Sequence, residues 1–115
     1  MNFGKKMKQK YRSEETYKHY LAKRILNNWL SQSFIVREEE NFIFFKPDLS
    51  VYTEDGLNSF YEVEYKNGMT GRKLNIMMYW AYINDIHIPV YEVSSDWILN
   101  QCRKPKKIIC IKYQL

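Results

Sequence analysis

The sequence is poor in cysteine, and this excludes the classes of protein that depend on it. Cys102 and Cys110 are the only cysteines among 115 residues, so an oxidised pair could form, but a disulfide framework is excluded. Cys110 lies in the apolar run 108–111 and is most simply a small buried residue. No C-x-x-C pair occurs, and His19 and His87 have no cysteine or histidine neighbours. We therefore expect no structural zinc site.

Long apolar runs are also lacking. No segment approaches the roughly 18 apolar residues that a membrane helix needs. The basic N-terminus is not followed by an apolar stretch that could act as a signal peptide. We accordingly expect a cytoplasmic protein with no membrane partner.

What the chain does have is enough material for one core. It is 45% hydrophobic and 17% aromatic, well above the composition of disordered chains. A chain of this length corresponds to one domain. We predict a flexible basic arm at residues 1–12 and a single domain at 13–115. The small size would also suit a protein of a phage or mobile element.

Charge is distributed unevenly along the chain. Residues 1–24 carry eight Lys or Arg, and residues 102–115 carry five with no acid. Residues 38–64 instead carry eight acids and one base. A basic periphery around an acidic centre is typical of a protein that binds a polyanion and holds cations near its phosphate. Lysine-rich ends that are merely exposed to solvent would give the same distribution.

Periodicity predicts a mixed α/β fold. Ser13 is a candidate N-cap for an amphipathic helix that ends near Gln32, and a second helix is expected after Gly71. Strands are expected at 34–37, 42–46, 48–53, 59–66, 88–93 and 107–113, with a helical turn at 97–99. The stretches 42–46 and 48–53 are two pieces separated at Pro47. Counted as one strand, they give the order α-β-β-β-α-β followed by a turn and a strand, which predicts a central mixed sheet flanked by helices.

Strand alternation groups the charged residues of the 59–66 strand. Glu62, Glu64 and Lys66 fall on one face, because successive side chains of a strand point to opposite sides. A hairpin at Asp55-Gly56 would bring Asp48 beside this strand. A two-residue loop at 55–56 sets Asp48 opposite Val63, on the wrong face, whereas a three-residue loop at 55–57 sets it opposite Glu64. A shared site thus requires the longer turn or a bulge.

These residue types suit metal-assisted hydrolysis of a phosphodiester. Mg²⁺ prefers oxygen ligands and keeps several waters, so one or two carboxylates suffice. The metal acidifies a bound water and stabilises charge on the phosphate oxygens. A nearby lysine can position that water or neutralise the transition state.

Pro47-Asp48, followed after a hairpin by Glu64-Tyr65-Lys66, resembles the motif of the PD-(D/E)XK nuclease superfamily, which includes restriction enzymes and archaeal Holliday-junction resolvases. The similarity runs through residues 46–52 and 60–66. The predicted α-β-β-β-α-β order also resembles the restriction-endonuclease-like core of that superfamily.

The resemblance assigns roles to these residues. It implies that Asp48 and Glu64 bind Mg²⁺ or Mn²⁺, that Tyr65 offers its backbone carbonyl, and that Lys66 is the catalytic lysine. Many members add an acid from the first helix, a role that Glu15 or Glu14 could fill. Glu62 shares the face and could be an extra ligand, a supporting residue or merely exposed.

Basic residues offer candidate contacts to nucleic acid. Arg72 and Lys73 open the second helix and could contact phosphates, or could equally form a solvated first turn. The remaining candidates lie in the basic arm: Lys5, Lys6, Lys8, Lys10 and Arg12.

Together these features predict a metal-dependent endonuclease that acts on DNA rather than RNA, with branched or structured DNA as a candidate substrate. The resemblance also implies a homodimer. Two other interpretations stay open. The motif could be solvent-facing charges of a half-exposed sheet, or the chain could be an inactive nuclease-fold module that binds nucleic acid or a protein.

Overall fold

The protein is an α/β fold in which a five-stranded mixed sheet is flanked by three helices. The structure is a computed structural model that describes residues 14–64, 71–100 and 111–115. Its elements are α1 (Glu14–Leu30), β1 (Ile35–Glu38), β2 (Leu49–Thr53), β3 (Gly56–Glu64), α2 (Gly71–Ile83), β4 (Pro89–Ser94), α3 (Ser95–Leu99) and β5 (Ile111–Gln114). Apart from the piece predicted at 42–46, this order is the one that the hydrophobic periodicity predicts.

The sheet has the order β1-β2-β3-β4-β5, with every pair antiparallel except β3 and β4. The parallel pair is possible because α2 carries the chain back over the sheet between β3 and β4. Neighbouring strands along the chain are therefore also neighbours in space.

Helices cover both faces of the sheet, and successive side chains of β3 pack alternately into the two cores that lie between the sheet and these helices. Val63 packs with α1 and α3, in a cluster that includes Leu26 and Ile98. Phe60, three residues earlier, packs with Met77 and Trp80 of α2. The expected sheet between helices is confirmed. No helix among the described residues is long and apolar enough to span a membrane.

The predicted strand at 42–46 is wrong. The segment is an irregular loop in which the N–H of Phe42 donates to the carbonyl of Phe45 at 3.0 Å, and Ile43 has φ 76°. Phe42 and Phe45 stack on each other and both pack against Trp80. Residues three apart point to opposite faces of a strand, so a strand could not bury both rings in one cluster.

The hairpin between β2 and β3 has a tight turn and an irregular ladder. Thr53 pairs with Gly56, so the loop is Glu54 and Asp55, and Gly56 has the positive φ of 107° that glycine adopts readily. The pairing shifts between Tyr52 and Val51, which leaves Asn58 as an extra residue on β3. This β-bulge changes which residues of the two strands face each other.

Candidate functional site

The bulge places Asp48 on the same face as the acids of β3. Beyond the bulge Leu49 pairs with Tyr61, so continuing the ladder by one residue sets Asp48 opposite Glu62. Without the extra residue Asp48 would meet Tyr61, whose side chain points to the other face. The sequence left open a longer turn or a bulge, and the structure has the bulge. It brings Asp48 nearest to Glu62, one pair before Glu64.

Backbone and side-chain hydrogen bonds fix Asp48 at the start of β2. The N–H of Val63 donates to Asp48 Oδ2 at 2.7 Å, and the N–H of Asp48 donates to Glu62 Oε2 at 3.2 Å. The carbonyl of Asp48 accepts from the N–H of Glu39 at 3.1 Å. Pro47 just before it is buried. The carboxylate is therefore held by its surroundings and does not move freely on the surface.

His19 of α1 is the second partner of Asp48. Its Nε2 lies 3.2 Å from Asp48 Oδ2. The hydrogen bond to Asp48 raises the pKa of His19, against the effect of burial and of the nearby Lys23 charge. Burial alone would raise the pKa of Asp48, but hydrogen bonds from His19, Glu62 and the Val63 backbone hold it below its usual value. Asp48 is therefore ionised at neutral pH.

Glu62 is the most deeply buried acid of the site, with a side chain only 2% exposed. Its Oε1 contacts Lys73 Nζ from the first turn of α2. Burial, and then the charge of Asp48, raise the pKa of Glu62 to about 8, although Lys73 opposes both effects. Of the three roles the sequence left open for Glu62, simple exposure is excluded.

Glu64 and Glu92 extend the acidic face toward β4. Burial and the charges of Glu92 and Asp48 raise the pKa of Glu64 to about 7. Glu92 is buried and pairs across the parallel ladder with Glu62. Four carboxyl groups thus share one face, and His19 and Lys73 act on three of them as cations. Raised pKa values from burial and like charge are typical of functional sites.

These residues offer oxygen atoms to a cation, although not a complete ligand set. The Glu64 carboxylate makes no hydrogen bond or ion pair with another described residue, and the two donors located at Asp48, His19 Nε2 and the N–H of Val63, both bind Oδ2. No group of three or more His, Cys, Asp or Glu in the described part of the chain has the arrangement of a metal site. Mg²⁺ can be held by one or two protein carboxylates with waters, so the residues fit a site of that kind.

Several predicted residues lie elsewhere. Tyr65 and Lys66 fall outside the described residues, as does the basic arm at 1–12. Glu14 and Glu15 lie in the first turn of α1, and the structure describes their backbone alone. The structure does bring Asp48, Glu62 and Glu64 to one face. Lys73 contacts Glu62, so it is not a solvated residue, while Arg72 is exposed.

Sequence reasoning missed three residues around the site. His19 lies four residues after Glu15 and four before the buried Lys23. This spacing places the three residues on one polar face of α1. Lys23 Nζ lies 3.3 Å from Glu39 Oε1. Glu92 is the only acid in the apolar strand predicted at 88–93. It lies two residues after Val90 and therefore on the same face, which is expected to be buried. A charge in a buried strand is a signal in itself.

Comparison with protein-family models, curated proteins and solved structures found no match to this chain.

Proposed function

We propose that this protein is a metal-dependent endonuclease that hydrolyses phosphodiester bonds in DNA, with branched or structured DNA as a candidate substrate. The observation that carries the proposal is the β-bulge, because it turns Asp48 onto the face of Glu62 and Glu64. The resulting cluster is acidic and partly buried, and the carboxyl groups raise one another's pKa values. A cation bound among these carboxylates would relieve their mutual repulsion and could in turn bind a phosphate.

The fold supports the same proposal. The order α-β-β-β-α-β, with β3 and β4 parallel through α2, is the order implied by the resemblance to the PD-(D/E)XK superfamily. Asp48 just before β2 and Glu64 at the end of β3 lie near each other, as the resemblance requires, although Asp48 is opposite Glu62 and one pair away from Glu64.

Each residue has a chemical role in the proposal. Asp48, through Oδ1, and Glu64 would hold Mg²⁺ or Mn²⁺, while the Tyr65 carbonyl would complete the protein ligands. Mg²⁺ bound there would supply an acidified water and stabilise charge on the phosphate oxygens. Lys66 would orient the attacking water or neutralise the transition state.

Positioning falls to the neighbours of these residues. His19 and the N–H of Val63 both bind Asp48 Oδ2, which fixes the orientation of the carboxylate. Glu62 receives the N–H of Asp48 and contacts Lys73, so it links β2, β3 and α2 into one unit. Burial and the charges of Glu92 and Asp48 raise the pKa of Glu64 to about 7, and a bound cation would lower it again and keep the carboxylate ionised.

The test is cleavage by the purified protein. Plasmid, junction and single-stranded DNA are each incubated with Mg²⁺ or Mn²⁺ and with EDTA. We expect metal-dependent nicking that Asp48→Ala and Lys66→Ala abolish. Glu54→Gln, which removes an exposed acid of the hairpin turn, is the matched control and should cleave like the wild type.

A second candidate is a nuclease-fold module that binds nucleic acid or a protein without cutting. It is favoured by the internal pairing of the acids, since both oxygens of Glu62 and one oxygen of Asp48 already have partners in the chain. Wild-type protein that binds DNA but cuts no substrate, with binding unchanged by Asp48→Ala, would establish this module and reject the enzyme. Nucleic-acid affinity should fall steeply with salt.

A further inference from the structure

The outer face of α2 is apolar although nothing in the described chain covers it. The inner face is defined by three buried residues at helical spacing: Met77, Trp80 and Ala81. The opposite face carries four exposed apolar residues, with relative exposures of 48, 61, 84 and 50%: Met78, Tyr79, Tyr82 and Ile83. Single exposed apolar residues are ordinary, but a contiguous patch of this kind marks an interaction surface.

We propose that this face binds a second copy of the chain, with the two α2 helices packed antiparallel about a two-fold axis. A two-fold interface requires that if residue i meets residue j, then j meets i. With the axis at the midpoint between Met78 and Tyr79, each Met78 faces the partner's Tyr79. Asn75 then faces the partner's Tyr82. Ile83 faces the partner's Leu74, so three of the four exposed apolar residues face an apolar side chain.

The charges flanking the stripe fit the same arrangement. Arg72 lies at the start of α2, and Asp85 follows its end. They are equally distant from the midpoint, so each Arg72 meets the partner's Asp85. The Asp85 side chain is 96% exposed, even with His87 Nε2 3.2 Å away, and Arg72 is exposed as well. No residue of α2 is acidic, and Lys73 points to Glu62, so no like charges oppose each other along the stripe.

The area that such a contact would bury suits a dimer of modest affinity. A fully buried tyrosine removes roughly 150–250 Å² from solvent, and Tyr79 and Tyr82 keep most of this area exposed. With Met78 and Ile83, two copies would bury on the order of 1,000 Å², near the lower limit for a specific interface. The arrangement assigns Arg72 to the interface and not to a phosphate. It does not depend on the proposed nuclease activity.

Sedimentation equilibrium of the full chain, from low to high micromolar concentration, tests the interface. We expect the wild type to dimerise and Tyr79→Glu to be monomeric, because the change buries two charges beside the axis. Ile35→Glu is the matched control, since Ile35 is 65% exposed on β1. It should dimerise like the wild type. Circular dichroism checks that both variants are folded.

Charge exchange tests the antiparallel register. Arg72→Glu removes two symmetric ion pairs and should weaken the dimer about fivefold. Adding Asp85→Lys to Arg72→Glu should restore it, since each pair is re-formed with its signs exchanged. Asp85 has φ 52°, where Lys is strained, so Asp85→Asn serves as a second single variant that should weaken the dimer without that strain.

Three results would overturn the proposal: a wild type that stays monomeric throughout, a dimer that survives Tyr79→Glu, or an exchange that fails to restore the dimer. A fourth would replace it. If the wild type is monomeric and Tyr79→Glu weakens binding of a single-stranded oligonucleotide, the face stacks on bases and not on a second copy.

Discussion

His19 Nε2 lies 3.2 Å from Asp48 Oδ2 and joins the first helix to the start of β2. The same carboxylate oxygen accepts the N–H of Val63 at 2.7 Å. Two donors on one oxygen fix the orientation of the carboxylate. Neither of these two donors binds Oδ1, the second oxygen of the carboxylate.

Replacing His19 should therefore alter the ionisation of Asp48 more than it alters the fold. In His19→Ala we expect the pKa of Asp48 to rise, because the largest hydrogen bond that lowers it is lost. Metal-dependent cleavage should fall about 10- to 100-fold, the usual effect of removing a residue that orients a metal ligand. Carbon-13 NMR titration of the Asp48 carboxyl group and nicking assays measure the two effects.

His19→Gln is the matched control, because its amide N–H can still donate to Asp48 while its charge is gone. Cleavage between that of the wild type and that of His19→Ala is expected. An unchanged Asp48 pKa in His19→Ala would show that the contact does not set the ionisation of the carboxylate.

The sequence predicts the acidic face of β3, because that face depends only on alternation along one strand. Glu62 and Glu64 share a face in any strand that contains both. The pairing of Asp48 was harder, since one extra residue in the hairpin moves Asp48 to the other face. The bulge at Asn58 has no clear signal in the sequence. Residue types alone therefore left the register open.

Contacts between distant segments could not be predicted in the same way. His19 lies 29 residues before Asp48, and only the packing of α1 on the sheet brings them together. The sequence predicts a strand at 42–46, where the structure has a loop, because the aromatic residues of this segment have high strand propensity. Packing of Phe42 and Phe45 on the same side of Trp80 overrides that propensity.

Trp80 should be the most important single side chain for the stability of the α2 layer. It is 8% exposed and contacts the rings of Phe42, Phe45 and Phe60. Trp80→Ala should reduce the free energy of unfolding by about 3–5 kcal/mol, since the cavity cannot collapse fully. Urea unfolding, followed by circular dichroism, measures the change.

The control for this prediction is Tyr82→Ala on the opposite face of the same helix, where the side chain is 84% exposed. It should change the free energy of unfolding by less than about 0.5 kcal/mol, measured at low protein concentration. Equal losses in both variants would mean that the aromatic cluster does not determine stability.

The acidic cluster should make stability depend on pH in an unusual direction. In the folded state the pKa values of Glu62 and Glu64 are about 8 and about 7, against 4.5 for an ordinary glutamate. Between about pH 5 and about pH 8 the folded state therefore binds more protons than the unfolded state. The free energy of unfolding accordingly falls as pH rises over this range. The raised pKa of His19 acts in the same direction.

Glu62→Gln removes the largest of these contributions. The slope of unfolding free energy against pH should become shallower by up to about 1.4 kcal/mol per pH unit, the value for one proton. Urea unfolding in metal-free buffer across this range measures the slope. Glu54→Gln, at an exposed position, should leave it unchanged, and an unchanged slope in Glu62→Gln would contradict the burial effect.

Metal binding should show the opposite dependence on pH, because the cation and the protons compete for the same carboxyl oxygens. At about pH 6 Glu62 and Glu64 are mostly protonated, whereas at about pH 8 Glu64 is ionised and Glu62 is about half ionised. Metal affinity should therefore rise over this range, with release of protons on binding. The increase in melting temperature caused by Mn²⁺ should be larger at the higher pH.

Calorimetry in two buffers of different ionisation enthalpy counts the protons released when Mn²⁺ binds. The control is Asp48→Asn, which should abolish the Mn²⁺ effect at both pH values. A Mn²⁺ effect that is the same at both pH values would mean that the ion binds away from these carboxyl groups.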